Sequence, residues 1–356
     1  TFRAPLHQRV KISIDRAARW EFWPAWAFYP PIVGYILWLG LRYRRPTAFT
    51  AANPFLEASG FVGEHKSDCL LPLMQRAPDL VAPLEMLRIA LPIPQQIEIA
   101  ERFITAHGGF PVVLKPDVGQ RGRGVAIVRD RAGLHDYLVQ APGDVLIQQY
   151  ISGAEFGVFV YRDPVTGAAR IFSVTHKQFP EVVGDGVQSL EQLITDHPRA
   201  RLIAPLLWRK FADRMSWVPA RGVSVPLVEI GAHCRGSLFL DANELITAAL
   251  EAFAARLFAA LPGYYFGRVD LRCPSPDALA RGEGIRILEI NGVSAEAAHI
   301  YQPGTPLWRG YAAMLKQWEL AFAIGDANAR QGAPTLRLRE LIQRVAEDSR
   351  QSKLWF

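Results

Sequence analysis

Cysteine is nearly absent from this 356-residue chain: Cys69, Cys234 and Cys273 are spaced too widely for a disulfide framework or a zinc pattern. Reduced thiols in a cytosolic protein are the expectation. No internal repeat and no low-complexity tract occurs, which excludes solenoids and tract-like linkers. No basic-aromatic groove pattern lies beyond the N-terminal segment, so a nucleic-acid partner is not expected even though the chain is basic overall. Lysine is missing altogether between Lys66 and Lys115. What is present is ordinary for a globular protein: half the residues are apolar and 21% are charged. The length suffices for a large core divided over two or three lobes.

The net charge of +6 belongs to one end. Residues 1–45 hold eight arginines and lysines against Asp15 and Glu21, a surplus equal to that of the whole chain. Within them, Phe22 to Leu41 is a run of twenty residues without a charge, enough by count to cross a bilayer. Pro24, Pro30 and Pro31 break the run. Its uninterrupted remainder, Ile32–Leu41, reaches only about 15 Å as a helix, against a bilayer core of about 30 Å. The same prolines, and the lack of a small-residue cleavage site, speak against a cleavable signal peptide. Tryptophan and tyrosine flanked by arginines suit either a segment lying in an anionic membrane surface or an aromatic helix packed on the rest of the chain. The first reading places an otherwise cytoplasmic protein peripherally on the inner face of a membrane.

Two stretches about 150 residues apart carry the chemistry. In the first, an apolar strand ends in Lys115 and is followed by Gly119, Gly122 and Gly124, with Arg121 and Arg123 among them. A lysine there is costly to bury unless an anion compensates it. Glycines let backbone N–H groups turn toward anionic oxygens, as a polyphosphate requires. In the second, Asp270 lies on one strand and Glu289-Ile-Asn291 on the next, where a period of two puts Glu289 and Asn291 on one face. These oxygen donors, with Arg268 two residues before Asp270, suit magnesium. The plainer alternatives are a buried hydrogen-bond network and a simple hairpin turn.

The order of these pieces resembles the ATP-grasp superfamily, in particular D-alanine–D-alanine ligase and the ligase half of cyanophycin synthetase, over roughly residues 80–325. The resemblance implies an α+β fold in which two α+β lobes clamp ATP, with a small aromatic-rich N-terminal region beside them. It implies ATP and Mg2+ as cofactors. Lys115 and the loop Gly119, Gln120, Arg121, Gly122, Arg123 and Gly124 would hold the phosphates, and Asp270, Glu289 and Asn291 the metal. Val145–Val158 looks like the adenine hinge. There Gln148, where the family usually has Glu, would meet the adenine amino group, beside Gln149 and the backbone of Ile151, while Glu155 would take the ribose hydroxyls. Lys177 matches a phosphate-contacting lysine, and Arg268 the arginine that faces the transferred phosphate. Arg235, in a small-residue loop, would steady an acyl phosphate. The family also carries a nucleotide lysine upstream of the glycine loop, for which only Lys66, Arg76 or Arg88 can stand in here.

The implied division is a basic, aromatic N-terminal region facing membrane or substrate (residues 1–80), a central lobe with the glycine loop (81–152), a C-terminal lobe with the metal site (153–325) and a C-terminal helix (326–356). Helices are predicted at Gln95–His107, Arg131–Gln140, from Ser189 as N-cap, and at Ala242–Leu261. A strand is predicted from Phe49 to Asn53, and residues 70–94 read as a proline-punctuated passage. Asn53, Glu64, Lys66, His233, Glu296 and Tyr301 are the substrate-facing candidates, with turn chemistry or packing as the alternative for each. The expected reaction is ATP-dependent ligation: a carboxylate is activated as an acyl phosphate and joined to an amine, ADP and phosphate being released. The alternatives are a small-molecule kinase of the same fold and a non-catalytic, membrane-attached nucleotide-binding module.

Overall fold

The computed structural model describes residues 6–119, 122–231 and 236–351. The uncharged N-terminal run divides at its prolines. After α1 (Leu6–Ala17), Pro24 precedes the short α2 (Ala25–Phe28), and Pro30 and Pro31 open α3 (Pro30–Arg42). At a first helical position a missing N–H costs nothing. Among the described residues no helix is long and apolar enough to cross a membrane. The strand predicted ahead of Asn53 is instead a buried 3-10 turn, Ala48–Ala51. It is followed by α4 (Lys66–Arg76).

A four-stranded antiparallel sheet comes next. It is built from β1 (Leu84–Leu87), β2 (Val112–Pro116), β3 (Ala126–Val128) and β4 (Val145–Gln149) in the order β1-β4-β2-β3. The helices α5 (Ile93–Ala106) and α6 (Arg131–Gln140) lie within this stretch. Pairing of β2 with β4 sets Val113 opposite Gln148 and Lys115 opposite Leu146. Alternation then gives one face to Val112, Leu114 and Ile147, which pack with Phe103, Leu134 and Leu138 of the two helices. Lys115 and Gln148 share the opposite face.

The second sheet has five antiparallel strands in the order β11-β10-β5-β6-β9. They are β5 (Ala154–Arg162), β6 (Ala169–Gln178), β9 (Leu238–Asp241), β10 (Phe266–Cys273) and β11 (Arg286–Asn291). A ribbon of β7 (Glu181–Val183) and β8 (Ser224–Pro226) lies between β6 and β9 in the chain, with α7 (Leu190–Asp196) and α8 (Ala204–Lys210). Ser189 caps α7, and Gln192 closes a capping box. The predicted helix Ala242–Leu261 is shorter than expected: Asn243–Leu245 is a separate 3-10 turn, and Thr247 caps α9 (Ala248–Ala260). One face of the sheet, with Phe156, Val158, Val269 and Leu271, joins α4 and α9 in the largest core cluster. The other face carries Glu155, Lys177, Arg268, Asp270 and Arg272, with Phe159 and Phe266 joining a second apolar cluster at one end.

After α10 (Pro276–Ala280) the chain ends in α11 (Leu307–Arg330) and α12 (Leu338–Gln351). The turn Ala48–Ala51 packs on α11 so closely that a Cβ on Gly325 would lie 2.0 Å from the Ala48 carbonyl oxygen. Phe28, Phe49, Trp318 and Phe322 fill the cluster between them.

Asn53 joins this region to β10, and its role differs from the one expected. It is fully buried. Its Oδ1 accepts the N–H groups of Tyr265 and Phe266, both at 2.8 Å, while Nδ2 donates to the carbonyls of Phe266 (2.7 Å) and Ser59 (3.2 Å). The amide is spent on backbone groups and does not reach the cleft, so Asn53 is a structural residue and not a substrate contact. Asn53→Ala leaves these backbone groups without partners and should lower stability by about 3 kcal/mol. An unchanged urea midpoint would contradict this role.

Candidate functional site

The two sheets face each other across a cleft of about 600 Å³. Strand register builds its floor. On β10 and β11, Arg268 stands opposite Asn291 and Asp270 opposite Glu289. On β5, Glu155 stands between Arg272 of β10 and Lys177 of β6, and Gly157 stands opposite Asp270. A Cβ on Gly157 would lie 3.1 Å from both Arg268 and Asp270, so the glycine keeps that position open. Across the gap Lys177 Nζ reaches Asp270 Oδ1 at 3.1 Å while staying 3.3 Å from Glu155 Oε1. Asp270 also accepts from Arg268 Nε at 2.9 Å, and Glu155 Oε2 from Arg272 Nε at 3.0 Å. The result is an alternating chain, Arg272–Glu155–Lys177–Asp270–Arg268. Burial alone would raise the Asp270 pKa, but Arg268 and Lys177 outweigh it and hold the carboxylate below its ordinary range.

Lys115 enters from the opposite sheet. Its Nζ donates to Gln148 Oε1 at 2.9 Å and to the Leu288 carbonyl at 2.7 Å. Leu288 is the extra residue of a bulge, where pairing slips from Asp270–Glu289 to Leu271–Ile287. Among the described residues no carboxylate forms an ion pair with Lys115, and burial pushes its pKa down to about 7. Glu289, Asp117 and Asp270 act on it only from beyond ion-pair distance, so its burial is incompletely compensated.

Of the three candidates for an upstream cation, Lys66 is the one that lines the cleft. Its buried Nζ donates to the Gly119 carbonyl at 2.7 Å and lies 3.6 Å from Glu289 Oε1. Asp117 brings it there, since its carboxylate accepts from the N–H of Ser67 (2.8 Å) and its backbone carbonyl accepts from the N–H of Lys66 (3.0 Å). Arg76 donates instead to the Ala260 carbonyl and Arg88 pairs with Asp144, and neither lines the cleft. Gly122 and Gly124 have φ of 71° and 69°, a region that glycine alone enters without strain. Gly119, Gly122 and Arg123 line the cleft, and the Tyr137 hydroxyl holds the Gly124 carbonyl. Gln120, Arg121, His233 and Arg235 lie outside the described residues.

At the hinge, Gln148, Gln149, Tyr150 and Ile151 all line the cleft. Gln149 Nε2 donates to the His107 carbonyl. Arg272, absent from the sequence-based candidates, donates to the Ile151 carbonyl at 2.6 Å and lies 5.1 Å from the centroid of the Tyr150 ring. Its only cue was its place two residues beyond Asp270 on the same face of the strand. Glu155 has both oxygens engaged by cations, so a ribose hydroxyl would bind beside those pairs. The candidate donors for a metal are Glu289, the Asn291 amide and Asp270, whose two oxygens are both engaged by Arg268 and Lys177, so a metal there would displace one of those pairs. Among the described residues no three His, Cys, Asp or Glu side chains gather into a metal site. Magnesium needs only one or two carboxylates when phosphates and water complete its shell, so the set fits a metal that arrives with a polyphosphate.

The other end of the cleft is walled by the N-terminal segment, with Trp20, Trp23, Phe28 and Tyr29. Of the two readings of this segment, packing on the rest of the chain holds for Trp20, Phe28 and Tyr29. Glu296 faces them, its carboxylate held by the hydroxyls of Tyr29 and Tyr301, and burial raises its pKa. Glu64 accepts the Gly292 N–H through Oε2, and its Oε1 is buried without a hydrogen-bond partner among the described residues. Burial, with Glu289 adding to it, pushes the Glu64 carboxyl up to about 8.

No protein-family model matches the chain, and no curated protein matches it. Among solved structures it is similar to a D-alanine–D-alanine ligase from Bacillus anthracis, at 14% identity over 76% of this chain and 70% of that one, with a TM-score of 0.42. VanG D-Ala:D-Ser ligase from Enterococcus faecalis gives 14%, 73%, 61% and 0.40 in the same order. A bifunctional glutathione synthetase from Pasteurella multocida gives 18% identity over 72% of this chain and a TM-score of 0.36, and the chain spans 38% of that enzyme's length. Likenesses this distant say nothing of substrate or activity.

A polyanion bound at Lys115 should return its ammonium form. Because the free amine titrates at about 7, binding of ADP at about pH 8 should take up close to one proton. Calorimetry in buffers of different ionisation enthalpy measures the uptake, which Lys115→Met should remove. Binding by the unaltered protein without proton uptake would contradict the assignment.

Proposed function

We propose that the chain is an ATP-dependent ligase of the ATP-grasp type, which activates a carboxylate as an acyl phosphate and joins it to an amine. One observation supports this above the others: Lys115, Lys66, Lys177 and Arg268, from four separate segments, line one cleft with Asp270, Glu289 and Asn291. In this reading adenine lies against Gln148–Ile151 and the triphosphate runs past Lys115 toward the glycine loop and Lys66. Asp270, Glu289 and Asn291 would hold Mg2+, which when bound supplies positive charge to the β- and γ-phosphate oxygens.

The remaining steps use the chain's own groups. A substrate carboxylate oxygen attacks the γ-phosphorus as the bond to the ADP oxygen breaks. The amine then adds to the acyl carbon, phosphate departs, and the amine gives up a proton. Arg268 is oriented for the first transfer by Asp270 on one side and by the Glu296 carbonyl, 3.2 Å from its NH1, on the other. Lys177 is held by two carboxylates and shares its charge with the moving phosphoryl group. The aromatic wall beside Glu296 and Glu64 receives the substrates and keeps water from the acyl phosphate. The substrates are a small carboxylate and an amine.

ADP release over pooled carboxylates and amines, with mass spectrometry of the products, tests the reading. A stable phosphorylated product in place of an amide would make the protein a kinase. Glu289→Gln should lower turnover by at least about a hundredfold with an unchanged circular dichroism spectrum. Normal turnover in that variant would remove the proposed metal site. Lys66→Met should raise the KM for ATP about tenfold, a loss of the order expected for a charge-assisted hydrogen bond, while Arg76→Gln and Arg88→Gln leave it unchanged. The reverse pattern would move the upstream cation to an arginine.

A further inference from the structure

Helix α3 is apolar on every side. Ile32 and Leu39 point inward and are buried, yet Val33, Leu37 and Leu41, spaced four apart along the outer face, are 49%, 65% and 76% exposed. Trp38, on the same helix, is 47% exposed, and Trp26, just upstream, is 79% exposed. An amphipathic surface helix would show polar residues there. A contiguous apolar face of this kind marks a surface that something covers.

The rim of the face says what covers it. Arg42 lies over the Trp38 ring, 5.2 Å from its centroid, and Arg44 is exposed. Among the described residues neither forms a salt bridge. The acids of the segment are engaged elsewhere, Glu21 with Arg199 and Asp15 with Arg201. The surface therefore presents indoles, aliphatic chains and guanidinium groups, with no carboxylate of its own segment to repel an anion. Indoles settle at the headgroup level of a bilayer, and arginines there bind lipid phosphates and carboxylates. At 13 residues α3 is too short to cross, which leaves it lying in the interface plane. Trp23 joins this face to the cleft, being 37% exposed and also part of the aromatic wall.

We propose that the outer face of α3, with Trp26 and the arginines 42 and 44, seats this protein on an anionic lipid surface. The docking stands apart from the ligase reading and is tested apart from it. The full chain is centrifuged with vesicles of phosphatidylcholine alone or with added phosphatidylserine. It should sediment with the anionic vesicles, remain largely soluble with the neutral ones, and be released by salt. The variant Trp26→Ala, Leu37→Ser, Leu41→Ser should lose at least about tenfold in partitioning, and Arg42→Gln with Arg44→Gln roughly thirtyfold toward the anionic vesicles. All five side chains are exposed, so circular dichroism and nucleotide binding should be unchanged in both variants. The proposal is overturned if the unaltered chain stays soluble with anionic vesicles, or if the triple variant binds as the unaltered chain does. It is equally overturned if the face proves to hold a second copy, seen as concentration-dependent dimerisation that the triple variant abolishes.

Discussion

The floor of the cleft is held by the buried chain of alternating charges on the five-stranded sheet. Glu155 and Asp270 are each bracketed by two cations, and Lys177 links them across the gap above Gly157. Removing one member of such a chain leaves its neighbour buried and uncompensated, at a cost of about 3–5 kcal/mol. The side chains that face the ligand therefore have little freedom. Preorganisation of this kind is what electrostatic catalysis needs, because the dipoles need not reorganise when charge moves.

Two further basic groups approach the chain from outside the sheet, and they add to its positive charge. Lys115 crosses from the smaller sheet to the bulge at Leu288, and Lys66 is delivered by a separate segment hung on Asp117. Arg272, Lys177, Arg268 and Lys66 are set against Glu155, Asp270 and Glu289, and Lys115, its pKa near 7, adds a partial charge at neutral pH. Glu64, its pKa near 8, adds little negative charge at neutral pH. At the other end of the cleft the Glu296 carboxyl lies within the aromatic wall, held by Tyr29 and Tyr301.

Much of this was legible along the chain because strand alternation is a local property. Glu289 and Asn291 share a face whatever the fold, and so do Arg268 and Asp270. Ser189 signalled a helix start through its own side chain and that of Gln192. The helix α11 was harder to read, because its buried stripe includes Gly310, Gln317, Gly325 and Asp326, which blur the apolar period. Lys66 was recognisable as one of three candidates for an upstream cation, and Arg272 only as a charged residue. Nothing near Lys66 in sequence reveals that Asp117 pulls it to the glycine loop, and nothing near Asn53 reveals the backbone of β10 that absorbs its amide.

Local chemistry thus determined the kinds of groups present: a lysine followed by a glycine loop, paired oxygen donors on neighbouring strands, and an apolar segment too broken by proline to span a bilayer. Tertiary structure decided which of them meet. Strand register set Asp270 beside Glu289, a one-residue bulge aimed the Leu288 carbonyl at Lys115, and packing on α11 turned one side of the N-terminal helices inward and left the other in the open. Those outcomes depend on contacts between residues far apart in the chain, whose geometry no short stretch of sequence contains.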